Sequence, residues 1–200
     1  FIDFSGRFLK FAEKLFKLNL EIKRQIHGTS SLEVAQCNTF IGLHLLNKGN
    51  YELAKEYLLQ SYASKNSKLG IHDDTLIDVA ALGIAYGRTN MPLSAEPMFL
   101  KDIQDTKLLH GEDSIEFATA CNNVGVFFRT EGRFEEAESY LQNALEIRML
   151  KFGRNDLKVA NTLSNLGVLK SRNDDHSAAD EFHTNALKIS INCLGKDHPE

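Results

Sequence analysis

Long hydrophobic runs are missing from this 200-residue sequence: no apolar stretch approaches the roughly 18 residues that a membrane-spanning helix needs. The amino end, Phe1-Ile2-Asp3-Phe4-Ser5, has neither the basic start nor the cleavage site of a signal peptide. Cysteine is scarce, and Cys37, Cys121 and Cys193 lack the paired spacing of a disulfide framework or a zinc site. These absences predict no membrane insertion and a reducing compartment, the cytoplasm.

A strong excess of charge of either sign is also missing. The formal net charge is −4, which gives no reason to expect a nucleic-acid partner. The 13 glycines are spread along the chain and form no phosphate-cradling loop. With 42% hydrophobic and 25% charged residues, the composition is that of an ordinary folded protein. We therefore expect no cofactor and no enzymatic activity.

What the sequence contains is a repeat. Five glycines recur at spacings of 42, 41, 42 and 42 residues: Gly28, Gly70, Gly111, Gly153 and Gly195. A second set, Gly42, Gly83, Gly125 and Gly167, keeps the same period, and twelve residues after each comes an alanine: Ala54, Ala95, Ala137 and Ala179. A period in this range indicates a stacked array of helices.

Each repeat is predicted to hold two antiparallel helices, joined by a turn that follows the second-set glycine by seven residues. Glycine inside a helix costs about 1 kcal/mol relative to alanine, so four glycines in register indicate a packing requirement. We expect these glycines to meet the alanines where the two helices cross.

The pattern resembles the tetratricopeptide repeat, in the 42-residue form found in kinesin light chains. The resemblance rests on these segments: Leu82-Gly83-x-x-Tyr86, Ala95-Glu96-Pro97, Gly132-x-Phe134-x-x-Ala137, Ala144-Leu145-Glu146-Ile147 and Leu194-Gly195-Lys196-Asp197-His198-Pro199. HEAT and armadillo arrays share the period but lack the Gly-x-aromatic-x-x-Ala turn. The resemblance implies an all-α fold, a right-handed superhelical solenoid of antiparallel helix pairs whose first helices line a concave groove.

The repeats divide the chain into six segments. Residues 1–28 form the second helix of a truncated repeat, the complete repeats span 29–69, 70–110, 111–152 and 153–194, and 195–200 opens a further one. Nine helices are predicted, at 5–27, 31–48, 51–66, 74–89, 92–109, 113–131, 134–151, 156–172 and 175–193. Ser30 and Glu33 have the spacing of a capping box at the start of the second helix. Both ends should expose faces meant for missing helices, which predicts a piece of a longer array that self-associates or frays there.

Residues at i, i+4, i+7 and i+11 share a helix face, and this rule gives the candidate groove. In the third repeat the face holds Thr119, Asn123, Val126 and Thr130, with Asn122 and Arg129 beside it; in the fourth it holds Asn161, Asn165, Val168 and Arg172. The first two repeats place Gln36, Phe40, Leu43 and Asn47, and Ile77, Ala81, Ile84 and Arg88 there, so the groove should be more apolar at its amino end.

The predicted peptide-binding residues are Asn122, Asn123, Arg129, Asn161, Asn165 and Arg172. Asparagine offers a donor and an acceptor to an extended peptide backbone, and arginine binds acidic groups. The predicted partner is therefore a protein or peptide with acidic groups. Two other interpretations stay open: the arginines are solvated surface, and Asn123 and Asn165 make structural bonds to a neighbouring helix.

Two groups of ionisable residues could carry chemistry. His176, Asp180 and His183 share a helix face, as metal ligands do, but His183 stands where other repeats have Leu58, Phe99 and Leu141, so a partly buried, hydrogen-bonded histidine is expected. The pairs Asp73-Asp74 and Asp174-Asp175 precede predicted helices, where carboxylates cap exposed amides.

The function that follows is a non-catalytic protein-interaction scaffold, resembling the cargo-binding array of kinesin light chains, which holds a short peptide or a helix in its groove. One alternative is an architectural element that docks into a large assembly with the groove unused. Another is a regulatory segment of a larger multidomain protein.

Overall fold

The computed structural model describes residues 4–195, with side chains from residue 14 onward. Over this range it contains nine helices and no strand, as predicted. The helices are α1 (Phe4–His27), α2 (Leu32–Asn47), α3 (Tyr51–Leu69), α4 (Asp73–Arg88), α5 (Pro92–His110), α6 (Ile115–Thr130), α7 (Phe134–Phe152), α8 (Leu157–Arg172) and α9 (His176–Leu194). The chain divides into two compact units, unit 1 (Phe1–Met98) and unit 2 (Phe99–Glu200), with the boundary inside α5.

The first helix of each complete repeat begins after a capping residue at the same repeat position. These residues are Ser31, His72, Ser114 and Asp156. The Ser31 hydroxyl accepts a hydrogen bond from the Val34 amide at 3.2 Å, and Ser114 accepts one from Phe117 at 3.1 Å. The predicted capping box at Ser30 is therefore wrong by one residue. Because α2 begins at Leu32, only the residue directly before it, with extended backbone, lets its side chain reach the exposed amides.

The turn inside each repeat uses a left-handed residue, even where glycine is missing. Gly49 and Gly132 both have φ of 76°, and the equivalent Asn90 and Asp174 have φ of 57° and 59°. Asparagine and aspartate tolerate this conformation better than other residues with a side chain. The second and fourth repeats therefore keep the same turn without glycine.

Three of the second-set glycines, Gly42, Gly125 and Gly167, lie where the two helices of a repeat cross, as expected. A Cβ atom added at Gly125 would lie 2.7 Å from Leu141 Cγ and 3.1 Å from the Ala137 carbonyl oxygen, and Ala137 itself is fully buried. At Gly42 the nearest atom would be Leu58 Cγ, at 2.6 Å. The glycine thus makes room for a leucine four residues after the alanine, as well as for the alanine's backbone.

His183 occupies the leucine position in the fourth repeat, with its ring 2.6 Å from a Cβ atom added at Gly167. Its side chain is nevertheless exposed, so the expectation of a partly buried histidine is wrong. The polar ring lies across the small Gly167 and keeps its outer face in water, because no described helix packs over that side of α9.

Each unit has its own apolar interior. In unit 1, Val34, Ile41 and Leu45 of α2 pack with Ala54 and Leu58 of α3. In unit 2 a row of aromatic rings, Phe99, Phe127, Phe128 and Tyr140, runs with successive centroids 4.9, 5.5 and 5.7 Å apart. This packing uses the inward side of the first helices and leaves the opposite side for other contacts.

Candidate functional site

The candidate site is the side of the first helices that helical spacing groups together, which is mostly accessible although Ala81 is buried in the unit 1 core. We call it the first-helix face and define it by four equivalent positions in each repeat. They are occupied by Gln36, Phe40, Leu43 and Asn47 in α2; Ile77, Ala81, Ile84 and Arg88 in α4; Thr119, Asn123, Val126 and Thr130 in α6; and Asn161, Asn165, Val168 and Arg172 in α8.

In unit 2, three of the predicted site residues are brought together. Asn165 Nδ2 of α8 donates a hydrogen bond to Asn122 Oδ1 of α6 at 3.0 Å. Arg129 Nη1 donates to the Asn165 carbonyl oxygen at 3.4 Å. Asn122 is only 8% exposed, so this cluster joins two neighbouring first helices. For Asn165, the structure thus contains the interhelical bond that was left open as an alternative.

The other three predicted residues keep accessible side chains. Asn161 and Arg172 are exposed, and Asn123 is half-buried. Among the described residues, no hydrogen bond engages the Asn123 side-chain amide. Asn123 and Asn165 occupy equivalent positions in their repeats, yet only Asn165 donates its side-chain amide to a neighbouring helix.

In unit 1 the same face carries large apolar side chains beside the polar Gln36, Asn47 and Arg88. Phe40 is 58% exposed, Ile77 45% and Ile84 36%. The equivalent residues in unit 2 include Asn123, Asn161 and Val168. Large apolar side chains on a solvent-facing helix surface are typical of a contact site when several lie together.

Beneath this surface, unit 1 contains a buried polar network that the sequence analysis missed. Lys65 Nζ lies 3.1 Å from Asp78 Oδ2 and donates to Thr39 Oγ1 at 2.6 Å. Ser61 Oγ donates to the same Asp78 oxygen, Oδ2, at 2.7 Å. Thr39 Oγ1 also donates to Asp78 Oδ1 at 2.6 Å, which ties α2 to α4. Burial raises the pKa of Asp78, while these hydrogen bonds and Lys65 act in the opposite direction.

Unit 2 has a cation at the same repeat position but no carboxylate opposite it. Arg148 stands where Lys65 stands, and Thr162 where Asp78 stands. Arg148 Nη1 donates to Thr162 Oγ1 at 2.7 Å and to the Lys158 carbonyl oxygen at 3.2 Å. Burial lowers the pKa of Arg148, which is 6% exposed. This shared position of Lys65 and Arg148 is the signal that could have revealed the network.

A cavity of about 120 Å³ opens beside the unit 1 network. It is lined by Leu32, Glu33, Gln36, Lys65 and Asp74. Gln36 belongs to the first-helix face, so the cavity adjoins that face.

Metal chemistry finds no support in the described residues, which contain no group of three or more His, Cys, Asp or Glu placed to hold an ion. His176, Asp180 and His183 are all exposed. Among the same residues, no helix is both long and apolar enough to cross a membrane.

Comparison with known proteins gives two matches to family models that are both described as tetratricopeptide repeat. They cover residues 116–192 and 35–67, together somewhat more than half of the chain. The Arabidopsis thaliana protein KINESIN LIGHT CHAIN-RELATED 1 is 29% identical over 140 residues, which are 68% of this chain and 22% of that protein. The chain thus spans about a fifth of the length of this curated relative.

Solved structures share the fold. BtubC (BKLC) from P. vanneervenii has a TM-score of 0.80 at 19% identity, over 98% of this chain and 78% of that one. A variant of a putative kinesin light chain from Podosopora anserina, with nearly identical TPR-like repeats, has a TM-score of 0.79 at 14% identity, over 94% and 90% of the two chains. At these identities the similarity shows the arrangement of helices.

Proposed function

Because the chain belongs to the tetratricopeptide-repeat family, we propose that it is a non-catalytic protein-interaction scaffold that holds a short peptide or a partner helix on its first-helix face. The observation that carries the proposal is the accessible amide of Asn123, which no hydrogen bond within the described residues engages. The equivalent residues in α2 and α4 are Phe40 and Ala81, so the repeat itself does not require an amide here, and Asn123 lacks the interhelical bond that Asn165 makes.

The chemistry of the unit 2 face suits an extended peptide. Such a peptide brings a row of backbone N–H and C=O groups without internal partners, and one asparagine side chain can satisfy one of each. Asn161 and Arg172 are exposed on the neighbouring helix α8. Arg172 can add a charge-assisted bond to an acidic side chain of the peptide. In this proposal Asn122, Asn165 and Arg129 hold α6 and α8 together beneath the peptide.

The architectural alternative is favoured by a different observation. Leu108 of α5 and Leu150 of α7 occupy the same repeat position and are 74% and 78% exposed. They lie on second helices, away from the first-helix face. A scaffold that docks through this surface would leave the first-helix face unused.

A third candidate follows from the comparison of lengths. Since the chain corresponds to about a fifth of its curated relative, it would serve as one segment of a larger protein, where it could be regulatory. We place that protein in the cytoplasm, where the free thiols of Cys37, Cys121 and Cys193 would stay reduced.

Self-association is part of the proposal as well. On α1, Leu15, Leu18, Ile22 and Ile26 are between 46% and 68% exposed, and on α9, Leu187, Ile191 and Leu194 are between 36% and 51% exposed. Both sets recur at helical spacing, so each forms an apolar stripe. Apolar stripes of this kind associate when nothing covers them.

The test of peptide binding starts by selecting decapeptides from a random phage-displayed library on the 200-residue chain. The dissociation constant of the best peptide is then measured by fluorescence anisotropy for the parent, for Asn123→Ala and for the double variant Asn123→Ala/Asn165→Ala. Asn123 can make two hydrogen bonds to the peptide backbone, and each neutral bond contributes about 1 kcal/mol, so Asn123→Ala should bind with about thirtyfold lower affinity. The double variant should bind no more tightly than Asn123→Ala, because Asn165 acts by holding α8 to α6.

The matched control is Asn143→Ala, an exposed asparagine on the second helix α7. It should leave the affinity unchanged. Because Asn165 also bonds to Asn122, helicity and thermal stability of the double variant are measured alongside. Equal affinities for parent and double variant would remove the site from this face and favour docking through Leu108 and Leu150.

A further inference from the structure

We propose, resting on the proposed function, that the unit 1 part of the first-helix face selects a peptide segment in which a large apolar side chain stands beside a lysine or arginine. Such a segment would suit the side chains that α2 and α4 present on one surface.

Carboxylates and apolar residues share one surface in unit 1. Glu33 and Phe40 are seven residues apart on α2, and Asp74 and Ile77 are three apart on α4, so each pair lies on one side of its helix. The Thr39–Asp78 hydrogen bond joins the two helices, and residues of both line the cavity. The acidic positions therefore border the exposed Phe40 and Ile77.

The cavity is large enough for the head of a side chain. Its volume of about 120 Å³ is several times the ~10–15 Å³ that one water molecule needs. Leu32 offers an apolar wall, and Glu33, Gln36 and Asp74 offer oxygen acceptors. A long side chain with an aliphatic stem and a cationic end matches this lining.

The charge of the cavity favours a cation. Among the described residues, Lys65 is the only cation that lines it. Its ammonium group is already held by Asp78 at 3.1 Å, by Thr39 and by the Asp74 carbonyl oxygen at 3.0 Å. Glu33 and Asp74 thus remain as carboxylates at the rim.

Other ionisable groups nearby do not reverse this balance. His72 Nδ1 lies 3.8 Å from Asp74 Oδ2. The pKa of Glu33 is lowered first by a backbone hydrogen bond and, to a smaller extent, by His27 and Lys23 of α1, so this carboxylate is ionised at neutral pH. Asp73 adds a further carboxylate at the start of α4. The carboxylates here are Glu33, Asp73, Asp74 and Asp78, and they outnumber the two lysines, Lys65 and Lys23.

The equivalent surface of unit 2 is less acidic and less apolar, so it serves as an internal comparison. There Lys158 replaces Asp74, Thr162 replaces Asp78, and Asn123 replaces Phe40. Arg148 has no carboxylate at the position opposite it. The preference for an apolar and basic segment should therefore belong to unit 1 alone.

The experiment selects decapeptides from the random phage-displayed library in parallel on the parent chain and on the triple variant Glu33→Gln/Phe40→Ser/Asp74→Asn, and sequences both pools. We expect lysine or arginine within three residues of Phe, Leu or Ile to be enriched in the parent pool and lost from the variant pool. The best parent-pool peptide, synthesised with its basic residue and with glutamine in its place, should differ at least tenfold in dissociation constant. That difference should shrink at 500 mM salt, since screening weakens charge attraction.

Glu116→Gln is the matched control, because Glu116 holds the Glu33 position in unit 2 and is likewise exposed. It should enrich the same peptides as the parent. Circular dichroism verifies that the triple variant is folded, and the single variant Glu33→Gln repeats the affinity measurement if it is not. Parent pools without enrichment of a basic residue beside an apolar one would overturn this inference while leaving a peptide scaffold intact, and acidic enrichment alone would assign binding to the unit 2 face. A library from which no peptide is enriched would overturn both it and the proposed function.

Discussion

A single buried carboxylate sets the pH response that we expect of unit 2. Asp102 of α5 is 4% exposed and stands where the other repeats have Ser61, Ala144 and Ala186. Its described hydrogen-bond donor is Thr106 Oγ1, at 3.4 Å. Burial raises its pKa to about 7, and repulsion from Asp105, whose own partner is Lys101 at 2.8 Å, adds to the rise.

The nearby Cys121 thiol is kept protonated by the same environment. Burial raises its pKa to about 12, and the Asp102 carboxylate contributes in the same direction. Cys121 is therefore a small core side chain that should not react with thiol reagents while the protein is folded.

Stability should fall between pH 5 and pH 8 because of Asp102. Its pKa is higher in the folded chain, about 7, than the ordinary 3.8, so the folded state binds the extra proton. That contribution is fully present below pH 3.8 and is lost as the pH rises through 7. At about 1.4 kcal/mol per pKa unit, the loss is on the order of 2–4 kcal/mol.

Thermal melts at pH 5 and pH 8 of the parent and of Asp102→Asn measure this loss. The variant should melt at nearly the same temperature at both pH values, whereas the parent should melt lower at pH 8. Asp102→Ala, which copies the residue of the third repeat, should behave like Asp102→Asn in its pH dependence. A parent and variants with parallel pH profiles would show that Asp102 does not titrate in this range.

At the scale of the helix, the contacts at the crossing of two helices explain why a second-set glycine is needed more in one repeat than in another. At Gly125 an added methyl group meets Leu141 and the backbone of Ala137, both held inside unit 2. At Gly167 the three nearest atoms all belong to the ring of His183, which is exposed and can rotate away. The same substitution should thus have opposite effects in neighbouring repeats.

We expect Gly125→Ala to destabilise the chain and Gly167→Ala to stabilise it. Overpacking at Gly125 costs about 1–3 kcal/mol, against a gain of about 1 kcal/mol in helix propensity, whereas Gly167→Ala keeps most of that gain. Urea denaturation of both variants and the parent compares the free energies of unfolding. Shifts of the same sign would mean that His183 is as firmly held as Leu141.

At the scale of the whole molecule, the apolar stripes of α1 and α9 lead to a prediction about its state in solution. Analytical ultracentrifugation at increasing protein concentration should show reversible association. The double variant Leu18→Lys/Ile26→Lys should sediment as a smaller species than the parent, because both residues are more than half exposed on α1. Leu108→Lys is the control for an exposed leucine elsewhere. A parent that remains monomeric at every concentration would contradict the proposal.

The fold was predictable from the sequence because the repeat period, the small residues and the turns reinforce one another four times. All nine described helices overlap their predicted spans. The capping residue was wrong by one position because Ser30 and Ser31 are both good caps, and only the start of α2 decides between them. Spacing along one helix could not show that Asn165 bonds to Asn122, since that contact depends on how α6 and α8 lie side by side.

The ion pair between Lys65 and Asp78 also constrains which repeat can follow which along the chain. Its two charges lie on α3 and α4, in the consecutive repeats predicted at 29–69 and 70–110, and both are buried. If a genetic exchange replaced residues 70–110 by residues 153–194, Lys65 would face Thr162 in place of its counter-ion, and losing one partner of a buried pair costs about 3–5 kcal/mol. Copies that look interchangeable in sequence are thus matched to their neighbours, and the array should resist duplication, deletion or reshuffling at this junction.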